Sequence, residues 1–234
     1  MTDAVIWHDL ECGAYGADLP LWRELAARHA GGPVLEIGAG TGRVTLDLAR
    51  RGHSVIALER VPELAAELRK RAAGLPVEVL VADACDFTLT ARAQLCIVPM
   101  QTVQLLTDRG SFLRCAHGAL AANGLLAIAL LGHVVPFEVE LRADVLDSDG
   151  VRYASAPTAL RESATTIVLE RRRTIYGARE AAAVLDVVEL ARIDAASLAS
   201  EAARVGFRAL ATITLPPTDD HAGSDVLLLA PLTR

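Results

Sequence analysis

The sequence predicts an α/β protein built on a mostly parallel sheet. Three observations carry this. Short apolar runs alternate with helical patterns from residue 34 to residue 131. The first run ends in glycines at alternate positions, Gly38-Ala39-Gly40-Thr41-Gly42. Two β-rich runs at the C-terminus flank a short helix. Strands separated by helices need crossover connections, and those connections are right-handed and give parallel pairing.

Leu19–Ala30 reads as an amphipathic helix stopped by Gly31-Gly32-Pro33. Val34–Ile37 is the first strand, followed by a helix over Thr41–Arg51 that Gly52 closes. Ser54–Leu58 is the second strand, and Pro62 suits the first turn of its helix, which ends by Gly74. Val77–Val81 and Gln94–Val98 are the third and fourth strands. A helix from about Arg109 to Ala121 turns at Asn123-Gly124 into strand Leu125–Leu131. Residues 133–160 offer no clear element, whereas Thr165–Tyr176 and Ala183–Ile193 read as a half-exposed antiparallel pair. Asp194 caps a helix over Ala195–Val205, and Phe207–Thr214 with Ser224–Ala230 form a final antiparallel pair. The expectation is one domain over residues 1–234, with an N-terminal helical lid over about 1–30. A β-rich insertion is expected over about 133–193.

Composition narrows the function. The chain has 234 residues, 52% of them hydrophobic, enough for a large core. No apolar run approaches the ~18 residues of a membrane span, and the start lacks the basic flank of a secretion signal. The formal net charge of −6 argues against nucleic acid as the main partner. Arg171-Arg172-Arg173 reads as a solvated strand end rather than an anion site. Cys12, Cys85, Cys96 and Cys115 form no C-x-x-C pair and suit reduced thiols in the cytoplasm. Cys115 and His117 are two apart and would not face each other on a helix, so no metal site is expected.

The glycine loop suits a backbone that presses against a nucleotide-like ligand, because glycine has no side chain and tolerates positive φ. The spacing is G-x-G-x-G, and Arg43 stands where a dinucleotide fingerprint needs its third glycine. A ligand without a pyrophosphate therefore fits better. Glu59 ends the second strand about 20 residues on, where a carboxylate accepts from both ribose hydroxyls. Asp83 follows the third strand in Val81-Ala82-Asp83-Ala84-Cys85.

With these residues in order, the chain resembles the class I S-adenosylmethionine (SAM)-dependent methyltransferases, with a Rossmann-like doubly wound seven-stranded sheet, an antiparallel last strand and a small antiparallel β insertion. Its layout is similar to small-molecule amine and amino-sugar N-methyltransferases. The resemblance implies that Gly38, Ala39, Gly40 and Gly42 approach the cofactor and that Glu36 helps hold its amino group. Glu59, beside Arg60, takes the ribose, and Asp83 and Ala84 meet the adenine. Asp83 as a simple turn former is the alternative. Met100 and Gln101, in Pro99-Met100-Gln101-Thr102, are implied to pass under the sulfonium. Val61 replaces the family's serine helix cap, and Gln104 stands where amino-sugar relatives carry a histidine base.

Tyr15 resembles the tyrosine of the family's N-terminal helix, which covers the cofactor and shields the methyl group. Trp7, Tyr15 and Trp22 stand out in a chain that is only 4% aromatic. His133, just past the fifth strand, is the candidate substrate-side base, and Glu138 a further one. An exposed loop histidine is the plain alternative for His133. The catalytic candidates are thus His133, Tyr15, Gln104 and Glu138. The resemblance implies methyl transfer to a nitrogen or electron-rich carbon of a small molecule in natural-product tailoring, with release of S-adenosylhomocysteine (SAH), by a cytoplasmic homodimer that meets neither nucleic acid nor membrane. A small-molecule O-methyltransferase and an inactive SAM-binding module are the alternatives.

Overall fold

The computed structural model describes residues 2–132, 134–177, 181–218 and 221–232. The chain divides into two compact units. One comprises residues 16–133 and 193–234, the other residues 1–15 and 134–192.

The larger unit is a seven-stranded sheet. Its strands are β1 (Val34–Ile37), β2 (Val55–Glu59), β3 (Val77–Val81), β4 (Ala93–Val98), β5 (Leu120–Leu131), β10 (Phe207–Leu215) and β11 (Ser224–Pro231), in the order β10-β11-β5-β4-β1-β2-β3. Strands β3, β2, β1, β4 and β5 are parallel, and β11 runs antiparallel to both β5 and β10. The expected Rossmann-like sheet with an antiparallel last strand is what forms. Helices α2 (Leu19–Arg28), α3 (Arg43–Arg50), α4 (Pro62–Arg71), α5 (Arg109–Ala119) and α6 (Ala195–Ala203) complete the unit.

The central strands are apolar at nearly every position because both faces are covered. Leu35 and Ile37 of β1 share a core with Cys96, Ile128, Phe112 of α5, Leu198 of α6 and Phe207. Val34, one residue out of phase, shares the opposite core with Leu95, Ile97, Trp22 of α2 and Leu48 of α3. Burial in the first core pushes the Cys96 thiol up, which keeps it neutral. Helix α6 is capped as its sequence predicts, Asp194 accepting from Ser197 N–H at 2.7 Å, and Asp108 caps α5 by accepting from Ser111 N–H at 2.8 Å.

The smaller unit is helix α1 (Asp3–Cys12) with β6 (Asp144–Ser148), β7 (Val151–Glu162), β8 (Thr166–Tyr176) and β9 (Ala181–Ala191). These strands form one antiparallel sheet in the order β6-β7-β8-β9. The expected two-stranded pair is thus four strands, and the stretch before residue 160 is not featureless. Asp149 and Gly150 both have positive φ, 50° and 76°, the turn that joins β6 to β7. A bulge between Pro157 and Ala159 accommodates the proline inside β7.

Charge orders this unit. Glu11 of α1 accepts from Arg173 Nε and Nη2, both at 2.7 Å, from Arg171 and from Ser155 Oγ at 2.8 Å. Burial would raise the Glu11 carboxyl, but Arg173 and Arg171 outweigh it and hold the group below its usual range. Arg172, on the opposite strand face, pairs with Glu140. Arg173 also reaches Asp186 at 2.8 Å and lies 5.3 Å from the Trp7 ring centroid. The three arginines are therefore neither a solvated strand end nor an anion site; they are paired along the middle of β8.

Candidate functional site

The order of the large sheet reverses between β1 and β4. From β1 the chain moves outward through β2 to β3, then returns to place β4 on the other side of β1. Ligands bind beyond the carboxyl ends of strands at such a switch point. The loop after β1 and the segment after β4 meet there: a Cβ on Gly38 would lie 2.6 Å from Thr102 Cγ2.

The glycine loop turns sharply. Gly38, Gly40 and Gly42 have φ of 71°, 56° and 102°, a region side chains strain to enter. Gly38 N–H and Ala39 N–H both donate to Leu58 O of β2, at 2.9 and 3.0 Å. A Cβ on Gly42 would lie 2.3 Å from Leu68 Cδ1 of α4, and the φ of 102° already disfavours a side chain there.

Glu59 is buried at the end of β2. Gly40 N–H donates to its Oε2 at 2.8 Å, and Val61 N–H donates to its Oε1 at 2.8 Å. The carboxylate spans the glycine loop and the start of α4. Each oxygen of an ionised carboxylate accepts more than one hydrogen bond, so this anchoring leaves capacity for a diol. No side chain caps α4 at Val61, as expected. Arg60 is exposed.

Glu36 is buried on the α2/α3 side of the sheet, and Thr45 Oγ1 donates to its Oε2. Burial pushes its carboxyl up to about 7, against the lowering by the Thr45 hydroxyl and the Arg43 charge. Asp83 is exposed, and its Oδ1 accepts from Cys85 N–H at 2.8 Å. That bond closes the turn after β3 and presents Ala84, which is buried. Met100 has φ 56°, one of two positive-φ non-glycine residues among those described. Strain of this kind gathers at functional sites. Gln101 accepts Gln104 N–H on its carbonyl at 2.9 Å, opening the 3-10 turn Thr102–Leu105.

The catalytic candidates fare differently. Gln104 is buried, and its Oε1 accepts Leu131 N–H at 2.7 Å. Its carbonyl ties the 3-10 turn to the end of β5, and an amide there takes no proton at neutral pH. Glu138 lies in the smaller unit, where it is exposed and pairs with Arg161 Nε at 2.8 Å, a surface ion pair rather than a base. Tyr15 is buried at the end of the smaller unit's first segment. His133 lies outside the described residues. The three aromatics do not make one cluster. Trp7 packs edge-on to Tyr153, with centroids 5.4 Å apart, while Trp22 is core of the larger unit.

Sequence reasoning missed Asp18 and Arg43 as partners. Arg43 Nη1 and Nη2 donate to Asp18 Oδ1 and Oδ2 at 2.6 and 2.8 Å, and Trp22 Nε1 donates to Oδ2 at 2.7 Å. The signal available was the aspartate before Leu19-Pro20, at the start of α2.

Among the described residues there is no cluster of His, Cys, Asp and Glu fit to hold a metal, and no helix long and apolar enough to cross a membrane. The residues present fit SAM. Glu59 suits the ribose diol, the glycine loop suits close approach of the chain to it, and Glu36 is a buried acid on the strand that leads into that loop. Bound there, the cofactor supplies an electrophilic methyl group.

Comparison with known proteins agrees. A methyltransferase-domain family model matches residues 34–124. The amino pentose methyltransferase CalS10 of Micromonospora echinaspora, solved with SAM bound, superposes with a TM-score of 0.74 at 18% identity, over 95% of this chain and 96% of that one. That likeness establishes the fold. Among curated relatives, the dimethyladenosine transferase of Saccharomyces cerevisiae is 49% identical over 45 residues, 19% of this chain and 14% of that protein. Ribosomal RNA small subunit methyltransferase A of Anaeromyxobacter dehalogenans is 48% identical over 69 residues, 30% of this chain and 24% of that protein. The chain thus spans less than a quarter of the length of these relatives. The family model covers the glycine loop, Glu59 and Asp83, and the solved structure shares the fold over nearly the whole chain.

These relatives correct the expected acceptor. The names that recur, from yeasts to bacteria to a fly, are those of adenosine and ribosomal RNA methylation. The resemblance to small-molecule N-methyltransferases, the natural-product role and the exclusion of nucleic acid are set aside on that finding. The charge argument failed because net charge is a sum over the whole chain and says nothing of local fields.

Proposed function

We propose that this chain, a SAM-dependent methyltransferase, transfers the methyl group to the exocyclic amino nitrogen of adenine in RNA. The observation that carries the reading is the run of dimethyladenosine and ribosomal RNA methyltransferases whose sequences match this chain at 43–51% identity over 45–69 residues. With SAM bound, the amino nitrogen would displace sulfur in line at the methyl carbon, the carbon–sulfur bond breaking as the carbon–nitrogen bond forms, with SAH as leaving group and the nitrogen's proton passing to water. The chain's task is alignment and exclusion of water, worth several kcal/mol when the reacting atoms are held at ~3–3.5 Å. Glu59 fixes the ribose end, the glycine loop fixes the backbone path, and Met100 shapes the floor beyond β4.

The test is label transfer from methyl-tritiated SAM to unmodified small-subunit ribosomal RNA, followed by nucleoside analysis. The expected product is methylated adenosine, with dimethyladenosine on long incubation. Label in any other nucleoside, or none in RNA from an enzyme that binds SAH, would overturn the acceptor.

A further inference from the structure

Arg43 stands in the first turn of α3, directly after the glycine loop. A cation there opposes the positive end of the helix dipole, which makes it an unfavourable place for an arginine without a reason. The reason is Asp18, which takes both guanidinium Nη groups and the Trp22 indole N–H. The pair is nearly closed to solvent, with side-chain exposures of 10% for Arg43 and 3% for Asp18. Buried pairs of this kind give little net stability over well-packed apolar residues, so their retention asks for another explanation.

That explanation lies next door. The groups acting on Glu36 are Thr45 and Arg43 of α3 and Asp18 before α2. Thr45 supplies a neutral hydrogen bond, and the charged influences are Arg43 and Asp18, with opposite signs. We propose that Arg43 and Asp18 are positioning residues for the amino-acid end of the cofactor, acting through Glu36. They brace the start of α2 against the loop and set the electrostatic field in which Glu36 meets the cofactor's ammonium. The proposal rests on the cofactor reading of the site and is independent of the acceptor.

The pair splits the field in a way a purely structural brace would not. Burial dominates at Glu36, Arg43 lowers its carboxyl and Asp18 raises it. Asp18→Asn keeps the shape, removes the raising influence, and favours the ionised acid. Arg43→Gln does the opposite. An ionised Glu36 attracts the ammonium, so cofactor affinity falls as pH drops through the titration of Glu36 in the free protein.

The test is SAH affinity from pH 5.5 to pH 8 by calorimetry. Wild type is expected to show a midpoint that Glu36→Gln abolishes. Asp18→Asn is expected to move that midpoint down and raise affinity at pH 6, and Arg43→Gln to move it up and lower affinity there, each by up to about tenfold. Arg43→Lys, which keeps the charge but loses the two-pronged contact, is expected to keep the midpoint. If Asp18→Asn does not fold, the Arg43 variants carry the comparison alone. Midpoints that stay fixed, or that move the same way in both neutral variants, would overturn the proposal. Wild type that binds no SAH would instead overturn the cofactor reading.

Discussion

The strand-end acids of the larger unit and the acids of the smaller one are held in opposite ways. In the larger one, Glu59 is held by two backbone N–H groups and Glu36 by a threonine hydroxyl, all neutral donors. In the smaller one, Glu11, Glu138, Glu140 and Asp147 face arginines. A neutral donor fixes a carboxylate without cancelling its charge, whereas an arginine consumes it. The first arrangement keeps acids in reserve for a ligand. The second spends them on holding a helix and four strands together. Asp18 is a third buried acid of the larger unit; it faces Arg43, and both act on Glu36.

The contrast can be broken at either end. Glu11→Ala leaves Arg171 and Arg173 without their shared partner and is expected to cost about 3–4 kcal/mol of stability, read by urea unfolding, with SAH affinity within about twofold of wild type. A large loss of affinity would mean that the charge scaffold also serves the cofactor. Glu59→Ala should do the reverse. It is expected to weaken SAH binding about a hundredfold, about 3 kcal/mol, as hydrogen bonds to a charged acceptor disappear. Affinity unchanged in this variant would remove Glu59 from the site.

Glu36 sharpens the contrast through pH. Its carboxyl is raised from 4.5 to about 7 in the folded protein. The folded chain therefore keeps a proton that the unfolded chain gives up. Stability from this group is full below about pH 4.5 and is lost as pH rises through about 7. The loss is on the order of 2–3 kcal/mol. Unfolding without cofactor should show this decline in wild type and not in Glu36→Gln; equal slopes would place the charge elsewhere. The smallest effect belongs to Arg161→Ala, which removes exposed pairs with Glu138 and Glu170. It is expected to cost under about 1 kcal/mol, and a thermal scan showing more would mean these surface pairs act as a network.

Much of the larger unit was legible because its signals are local. Gly38, Gly40 and Gly42 announce a backbone that needs positive φ, and strands buried on both faces read as apolar runs. Glu59 was legible from its distance to that loop. The smaller unit hid its first hairpin although Asp149-Gly150 is a strong turn signal, because Val145-Leu146-Asp147-Ser148 does not alternate cleanly. The pairing of Glu11 with Arg171 and Arg173 spans about 160 residues and has no local signature. Arg43 was read only as an obstacle to a pyrophosphate, since its partner Asp18 lies 25 residues away. The acceptor was misjudged for the same reason, because net charge carries no positional information.

Gln104 lashes the 3-10 turn after β4 to the last residue of β5 through one amide carbonyl. An imidazole there would change from acceptor to donor as it gained a proton between pH 5 and 8. An amide has no such second state. The 3-10 turn and the end of β5 are thus joined by a bond indifferent to acidity, and the pH response expected of this site comes from Glu36, whose carboxyl is pushed up to about 7.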